Sequence, residues 1–404
     1  MLYLDHNATT QPTPAVVQAV NTSITQHWAN PSSAHRAGQN AKHSIETART
    51  HLAALLGIKP PPRGLVFTGT GSEAIAMAIS GSMAAMKAAE KRTIITSTVE
   101  HSAVTQLCEQ LASTTDINLV TIPVNHDGLL DLQALKAALQ SDPENHAKLV
   151  SVQWVNNETG VIQSVAEIGA LCREHKALFH CDATQWIGKM ATTLEADPEP
   201  DPSAGGLIDI LTGSPHKFHG IKGVGFLWAR AGARMIPMIP GSQELGRRGG
   251  TESVPAIAAA GQAALEAKQW IDESPDDQSR LAGLRDHLER TIIQRCAPFL
   301  KEPIVVNGSG APRIWSTTNI GFPQLQSEAL LLTMSERGLC VSGGSACASG
   351  SLEPSDVLVA MGIDDRIGRG SIRMSISRFT TQEEIDQAIE IVVKSVEIVS
   401  RSIV

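Results

Sequence analysis

A repeated alternation of short apolar runs with helical patterns, between residues 65 and 229, constrains the fold more than any other feature. Short runs rich in apolar and β-branched residues, bounded by Gly, Pro or polar residues, are typical of buried strands. Such runs lie at residues 65–68, 93–97, 119–123, 149–155, 177–181, 207–211 and 224–229. Segments between them, such as 132–139 and 165–175, repeat apolar residues at helical spacing. Strands that alternate with helices predict an α/β fold with a mostly parallel sheet.

Polar residues follow five of these predicted strands at the point where each strand ends. In an open α/β sheet, ligands bind at the carboxyl ends of the strands. So many polar strand ends are hard to explain by chance, and we predict that they line one shared cleft. The residues are Gly71, Ser72, His101, Asn157, Asp182, Gln185, His216 and Lys217.

Lys217 is the side chain around which this cleft is organised. It follows an apolar run and a turn signal, Gly213-Ser214-Pro215. A lysine at such a strand end can be partly desolvated, which lowers the pKa of its amine and makes the amine a nucleophile. Taken alone, the pattern also fits an ordinary surface lysine, and the rest of the chain decides between the two interpretations.

The segment 69–73, Gly-Thr-Gly-Ser-Glu, lies between a predicted strand and an Ala- and Met-rich helix at 74–89. Free backbone N–H groups and the positive end of the helix dipole meet at such a turn and favour an anion. An ordinary turn between a strand and a helix, with no ligand bound, explains the segment equally well. A nucleotide-binding oxidoreductase is a weak alternative, because the turn lacks the G-x-G-x-x-G spacing.

From about Ala260 the pattern changes to short strands among helices. The change predicts a smaller α+β domain at 260–404, joined by residues 1–14, beside a large α/β domain at 15–259.

Composition excludes several classes of protein. Of the 404 residues, 42% are hydrophobic and 18% are charged, as in globular proteins. The formal net charge of −8 argues against general binding to nucleic acids or to membrane surfaces. No apolar run is long enough to cross a bilayer, and the N-terminus does not resemble a signal or transit peptide, so we expect a cytoplasmic protein.

The cysteines are widely spaced and include no Cys-x-x-Cys pair, so the sequence predicts neither a metal site nor a disulfide framework. Most fit reduced, buried small hydrophobes. Cys347 differs, because it lies in Ser-Gly-Gly-Ser-Ala-Cys-Ala-Ser-Gly-Ser. This run of small residues suits a mobile loop that carries a thiolate into a site.

Short motifs along nearly the whole chain carry a family resemblance. They are Tyr-Leu-Asp-His-Asn-Ala-Thr-Thr (3–10), Asn-Pro-Ser-Ser (30–33), Thr-Val-Glu-His (98–101), Val-Asn-Asn-Glu-Thr-Gly (155–160), His-Cys-Asp-Ala-Thr-Gln (180–185), Ser-Pro-His-Lys (214–217), Arg-Gly-Gly-Thr-Glu (248–252), Ser-Gly-Gly-Ser-Ala-Cys (342–347) and Ser-Ile-Arg (371–373). The chain resembles the cysteine desulfurases of the class V aminotransferase group, in particular the NifS/IscS branch. The resemblance implies the fold-type I architecture of pyridoxal phosphate enzymes, with a mostly parallel seven-stranded sheet in the large domain.

The resemblance also implies a role for each residue around the cofactor ring. Lys217 would bind pyridoxal 5′-phosphate covalently and later move protons, and Asp182 would pair with the pyridine nitrogen. His101 would stack on the ring and take part in proton transfer. Gln185 and Asn157 would bond to the phenolic oxygen of the ring.

The remaining roles implied concern the phosphate and the substrate. Thr251 would reach the phosphate of a partner subunit, which implies a homodimer. Arg373, with Asn30 and Asn157, would bind the carboxylate of L-cysteine. The cofactor phosphate would be held by Gly71, Ser72, Ser214 and His216.

Cys347 would be the second nucleophile. It would attack the substrate sulfur, leaving L-alanine and a persulfide that passes to an acceptor protein in iron–sulfur assembly, tRNA thiolation or DNA phosphorothioation. The chain stops soon after its last predicted helix, which makes a dedicated pathway a live alternative to general iron–sulfur assembly. The rival functions are another class V enzyme, such as a selenocysteine lyase, and a non-catalytic homologue that acts as a scaffold.

Several of these residues also have a purely structural interpretation. His101 fits a strand-end histidine, Asp182 a helix cap, Arg373 a structural ion pair and Asn30 a turn residue before Pro31.

Overall fold

A computed structural model describes residues 1–86, 91–141, 147–195, 205–343 and 353–402 of the chain. The elements up to residue 229 are β1 (Leu2–Tyr3), α1 (Pro14–Gln26), α2 (Arg36–Leu55), β2 (Leu65–Thr68), α3 (Gly71–Ala85), β3 (Thr93–Ser97), α4 (Ser102–Thr114), β4 (Asn118–Ile122), α5 (Leu132–Gln140), β5 (Lys148–Gln153), α6 (Val165–Glu174), β6 (Leu178–Asp182), β7 (Ile210–Gly213) and β8 (Gly225–Ala229). The later elements are α7 (Gln243–Gly246), α8 (Val254–Glu273), α9 (Asp277–Cys296), β9 (Val305–Val306), β10 (Thr317–Gly321), α10 (Ser327–Glu336), β11 (Leu339–Cys340), α11 (Asp356–Ala360), α12 (Asp365–Gly368), β12 (Ser371–Ser375) and α13 (Gln382–Arg401).

Strands β2 to β8 form one seven-stranded sheet in the order β2-β8-β7-β6-β5-β3-β4. Strand β8 is antiparallel to both of its neighbours, and the other adjacent strands are parallel. A parallel return needs a crossover of about a dozen residues or more, and the connection at 214–224 is filled by a 3₁₀ turn and a loop. The chain therefore reverses direction there. The predicted α/β fold with a mostly parallel sheet is confirmed.

Helix α8 packs against α1 and α2 through small residues. Its buried residues include Ala256, Ala260 and Ala264. A Cβ on Gly261 would lie 2.5 Å from the Cβ of Ala48 in α2, so a larger side chain there would push the two helices apart.

The C-terminal part contains a three-stranded antiparallel sheet in the order β12-β10-β9. Helix α13 packs against α9 and α10, and these two helices contact the sheet. The N-terminal strand β1 pairs with β11, and Asp5 bridges Ser375, so residues at both ends of the chain meet here. The predicted boundary at residue 260 lies inside α8, and the domain limits stay a prediction.

Two helices begin earlier than their apolar patterns indicated, because polar side chains cap them. Helix α2, whose apolar pattern in the sequence covers residues 41–56, begins at Arg36, where the Nδ1 of His35 accepts a hydrogen bond from the Gly38 amide. Helix α3 begins at Gly71, where the side chain of Thr70 accepts from the Glu73 amide.

Within the described ranges, no helix is both long and apolar enough to span a membrane. The same ranges contain no group of three His, Cys, Asp or Glu side chains that could hold a metal ion.

Candidate active site

A cavity of about 800 Å³ opens at the carboxyl ends of β3, β5, β6 and β7. Pockets of roughly 300–1,000 Å³ are typical of small-molecule sites. The structure brings most of the residues predicted for the site into its wall. They are Gly71, Ser72, His101, Asn157, Asp182, Gln185, Ser214, His216, Lys217 and Arg373.

One end of the cavity is suited to an anion. The first amides of α3, those of Gly71 and Ser72, have no acceptor within the helix, and they lie at the positive end of its dipole. Ser214 and His216 come to the same wall from the β7 side. A Cβ on Gly71 would lie only 3.1 Å from the Cβ of Ser214, so glycine keeps the two segments close.

An ion pair secures the turn before α3. One carboxylate oxygen of Glu73 accepts from the Gly69 amide at 2.8 Å, and the other accepts from the Nε of Arg248 at 2.7 Å. The pair joins the turn to the loop at 241–251. Because Arg248 balances the charge of Glu73, the carboxylate can organise the turn without repelling a bound anion.

His216 is a neutral member of this wall. Burial, aided by the positive charges of Lys217 and Lys222, lowers the pKa of His216 to about 4. Its Nδ1 lies 3.1 Å from the hydroxyl of Thr9.

The amine of Lys217 is held at the cavity wall by the N-terminal segment. Its Nζ donates to the main-chain oxygen of Asn7 at 2.7 Å and to that of Ala8 at 2.8 Å. The residue itself closes a 3₁₀ turn, Pro215–Lys217, that directly follows β7. Pro215 suits the first position of such a turn because its φ is fixed and it needs no N–H acceptor.

Asn7 links several parts of the site and is buried. Its side-chain amide donates to the main-chain oxygen of Asn157 at 3.1 Å and to the hydroxyl of Thr317 at 2.8 Å. Its main-chain oxygen accepts from Gln185 as well as from Lys217. The segment at 5–10 therefore crosses the site and ties the central sheet to the smaller one.

Asp182 ends β6 and is almost fully buried in the cavity wall. Its Oδ1 accepts from the Thr184 amide at 3.0 Å, which fixes the carboxylate at the strand end. Below it, the buried ring of His180 joins Ser151 of β5 to Thr212 of β7, at 2.9 and 3.0 Å. These bonds lock the three central strands in register under the carboxylate.

His101 both lines the cavity and caps α4. Its Nδ1 accepts from the Ala103 amide at 3.1 Å, so the proton of the neutral ring lies on Nε2. Burial and the charge of Lys217 lower the pKa of His101, and the nearby Asp182 opposes them. The cap fixes the ring and leaves Nε2 as the nitrogen that can exchange a proton with a ligand.

Glu100 is a buried carboxyl group that sequence reasoning did not assign to the site. Its oxygens accept from the hydroxyl of Ser97 at 2.5 Å and from the Gln153 amide at 2.9 Å. Burial above all, with a smaller effect of Asp182, raises the pKa of Glu100 to about 8 despite these hydrogen bonds. It joins the ends of β3 and β5 and precedes His101 in the chain.

This raised pKa predicts a pH-dependent stability. The native state binds the Glu100 proton more tightly than the unfolded chain does, so the resulting stability is present below pH 4.5 and is lost as the pH rises toward 8. The side chain in Glu100→Gln does not titrate. We therefore expect the free energy of unfolding of this variant, relative to that of wild type, to rise by a few kcal/mol between pH 5 and pH 8. Thermal melting of the cofactor-free proteins at both pH values measures the difference.

Glu336→Gln, at an exposed position, is the matched control and should show no such trend. A constant difference between Glu100→Gln and wild type across this range would show that Glu100 is ionised throughout.

Arg373 of β12 is buried and points its guanidinium at the cavity from the smaller sheet. Its Nη2 donates to Asp5 at 2.7 Å, and its Nη1 donates to the main-chain oxygen of Asn157 at 3.1 Å. Its Nε is buried and has no partner among the described residues. An arginine held in one position at a cavity wall is suited to a carboxylate ligand.

Two predicted residues, Asn30 and Thr251, lie outside the cavity wall, and Cys347 is not among the described residues. Asn30 is exposed, and its side chain accepts from the Ser32 amide at 2.9 Å, as a turn residue does. Thr251 is exposed on the loop that follows α7. Ser342, which precedes the undescribed segment, pairs through its main chain with Arg373.

Sequence reasoning missed four residues that the structure places in or beside the site: Asp5, Asn7, Glu100 and Lys189. The first three lie in motifs that carry the family resemblance, so the sequence marked these positions but did not indicate what their side chains do. Lys189 gave no signal, because Gly-Lys-Met between a turn and a loop resembles an exposed segment. Its side chain is buried beneath the site.

Comparisons with known proteins agree with this geometry. The model of the family Aminotransferase class-V matches residues 2–388. A cysteine desulfurase of Trichormus azollae is 41% identical over 398 residues, which are 98% of this chain and 93% of that protein. Another, from Cereibacter sphaeroides, is 38% identical over 96% of this chain and 94% of that protein.

A solved structure gives the same result for the fold. The NifS-like protein from Rickettsia africae ESF-5 superposes with a TM-score of 0.82 at 31% identity, covering 98% of this chain and 99% of that one. The chain therefore belongs to the class V aminotransferase family and, within it, to the cysteine desulfurases.

Proposed function

We propose that this cysteine desulfurase binds pyridoxal 5′-phosphate in the 800 Å³ cavity, converts L-cysteine to L-alanine and keeps the sulfur as a persulfide on Cys347. One observation carries the proposal: Lys217, Asp182 and Arg373 come from three different elements and meet at this single cavity. The persulfide then passes to an acceptor protein.

The residues present fit the cofactor. The anion end formed by α3 and Ser214 suits a phosphate, and the small Gly71 allows the main chain to approach it closely. Asp182 offers a buried carboxylate to a pyridine nitrogen. Gln185 and Asn157 offer amides to a phenolic oxygen. When bound, pyridoxal phosphate supplies an electron sink that stabilises negative charge at the substrate Cα.

The protein's own groups bind the substrate and move its protons. Arg373, held by Asp5 and the main-chain oxygen of Asn157 in the cavity wall, binds the carboxylate of L-cysteine through its guanidinium. Lys217 attaches the cofactor and then, as a free amine, accepts and returns the proton at Cα. His101, fixed by its cap on α4, moves a proton at Nε2.

Cys347 takes the sulfur. Its thiolate forms a bond to the substrate sulfur while the Cβ–S bond breaks, and the electron pair stays with the three-carbon fragment. A proton added at Cβ completes L-alanine. Since Cys347 now carries two linked sulfur atoms, an acceptor thiol can remove the outer one and regenerate the thiolate.

A homodimer is supported by the surface near Thr251. Ile236, Met238, Ile239 and Leu245 are exposed in the preceding stretch, and such an apolar patch is typical of an interface. In such a dimer, Thr251 takes the role that the family resemblance implies for it, contact with the cofactor phosphate of the partner subunit.

The test is product formation by the purified protein loaded with pyridoxal phosphate. With L-cysteine and a reductant, we expect L-alanine and sulfide in equal amounts, measured by chromatography and by a colorimetric sulfide assay. L-Selenocysteine is supplied in parallel. Alanine formation from selenocysteine alone would identify a selenocysteine lyase, and no absorption band from bound cofactor would identify a non-catalytic homologue.

A further inference from the structure

Lys189 is a buried amine that the proposed chemistry does not use. It lies between β6 and the loop at 191–195, and the residue is 5% exposed. Its Nζ donates to the Oε1 of Gln185 at 2.8 Å and to the Oδ1 of Asn7 at 3.1 Å. Burying an ammonium group costs free energy, so its position between two acceptors beside the cavity calls for a function.

The first bond fixes the orientation of the Gln185 amide. A glutamine amide has an accepting and a donating end, and its neighbours decide which end faces which way. The ammonium form of Lys189 has only donors, so it holds the Oε1 of Gln185 on its own side. The opposite Nε2 donates to the main-chain oxygen of Asn7 at 3.1 Å, and its second hydrogen remains for the cavity.

The second bond acts on the same wall. Asn7 accepts from Lys189 through its side chain and from Lys217 through its main-chain oxygen. The amines of Lys189 and Lys217 therefore both donate hydrogen bonds to Asn7. A loss of the Lys189 amine would free both Gln185 and the side-chain oxygen of Asn7.

We propose that Lys189 is a positioning residue that makes Gln185 present an N–H donor, and never its oxygen, to the cavity. A donor there stabilises a phenolate oxygen, whereas an amide oxygen would repel it. The inference rests on the proposed binding of pyridoxal phosphate, whose ring carries such an oxygen. It adds a residue outside the cavity wall to the set that adjusts the cofactor.

The groups that face Lys189 bear on any measurement against pH. Burial first, then the charges of Lys217 and Arg373, lowers the pKa of Lys189 to about 7. Burial likewise lowers the pKa of His6 to about 3 and that of His219 to about 4, so both rings are neutral near pH 7. An anionic oxygen nearby favours the charged form of Lys189.

The test follows the absorption band of bound pyridoxal phosphate against pH in wild type and in Lys189→Met. A hydrogen bond donated to the phenolate oxygen withdraws negative charge from it. The nitrogen through which Lys217 would hold the cofactor then loses its proton at a lower pH. We therefore expect the midpoint of the spectral change to rise by about one pH unit in Lys189→Met. In Lys189→Arg, which keeps the charge and the donors, the midpoint should lie close to the wild-type value.

A double-mutant cycle with Gln185→Leu separates positioning from charge alone. If Lys189 acts through Gln185, Lys189→Met should shift the midpoint far less in the Gln185→Leu background. An equal shift in both backgrounds would overturn the proposal. Lys148→Met, at a buried lysine that bonds to Leu139 at the far end of β5, is the matched control and should leave the midpoint unchanged.

The remaining outcomes also decide. An unchanged midpoint in Lys189→Met, with a normal band, would contradict the role of Lys189 and leave the proposed function intact. No band in wild type would overturn both. Melting of the cofactor-free variants is recorded first, and loss of the folded state in both Lys189→Met and Lys189→Arg would show that Lys189 serves the fold rather than the site.

Discussion

Lys217→Ala is expected to lower L-cysteine turnover by about a thousandfold or more. The amine stands at the end of β7, held by the carbonyl oxygens of Asn7 and Ala8. Among the described lysines, Lys217 and Lys222 line the cavity, and Lys217 adjoins the anion end through His216. Without its amine, the cofactor has no covalent attachment there, and the group proposed to accept the proton at the substrate Cα is lost. Alanine release at saturating cysteine measures the loss.

Lys217→Arg distinguishes a nucleophile from a charge. Arginine keeps a positive charge and hydrogen-bond donors but is not a nucleophilic amine, so this variant should be as inactive as Lys217→Ala. Borohydride treatment of the loaded wild type should attach the cofactor irreversibly to the peptide that contains Lys217, as seen by mass spectrometry. Attachment to Lys222 in wild type, or full turnover by Lys217→Arg, would contradict the assignment.

The central sheet was predictable because its strands are short, apolar and separated by helical patterns. Periodicity reports which faces are buried, and it therefore located β5 and β6 well. It says nothing about strand direction, so the reversal at β8 became visible only in the structure. Helix starts were missed for a similar reason, since caps such as His35 and Thr70 precede the apolar pattern.

The convergence of polar strand ends was also predictable, because parallel strands end at the same edge of a sheet. The contributions of Asp5 and Asn7 were not, since they depend on how an N-terminal segment crosses a distant sheet edge. Lys189 shows a further limit. Only the positions of Gln185 and Asn7 in space explain why a lysine is buried there.

Structural and functional interpretations of one residue proved compatible. His101 caps α4 and lines the cavity, and Arg373 forms an ion pair with Asp5 and lines it too. The structural contact holds each side chain in one orientation, which a ligand site requires. A helix cap or a structural ion pair therefore does not exclude the same residue from a ligand site.

Cys347→Ala is expected to abolish release of both alanine and sulfide from L-cysteine, a loss on the order of a thousandfold. In the proposed reaction the Cβ–S bond breaks only when a thiolate accepts the sulfur, so removing the thiol stops the step that forms both products. Mass spectrometry of wild type after one turnover without reductant should show one added sulfur atom on the peptide that contains Cys347. Cys340→Ala, at a partly buried cysteine on β11, is the control and should retain activity.

This variant also separates the desulfurase from its nearest rival. Cys347→Ala should still bind the cofactor and change its spectrum with L-cysteine, because Lys217, Asp182 and Arg373 are untouched. A normal spectral response without products would place the defect at sulfur transfer, after the substrate is bound. Full turnover of L-cysteine by the variant would mean that sulfur leaves without a thiolate acceptor, as in a lyase, and the persulfide step would have to be abandoned even though the rest of the site stands.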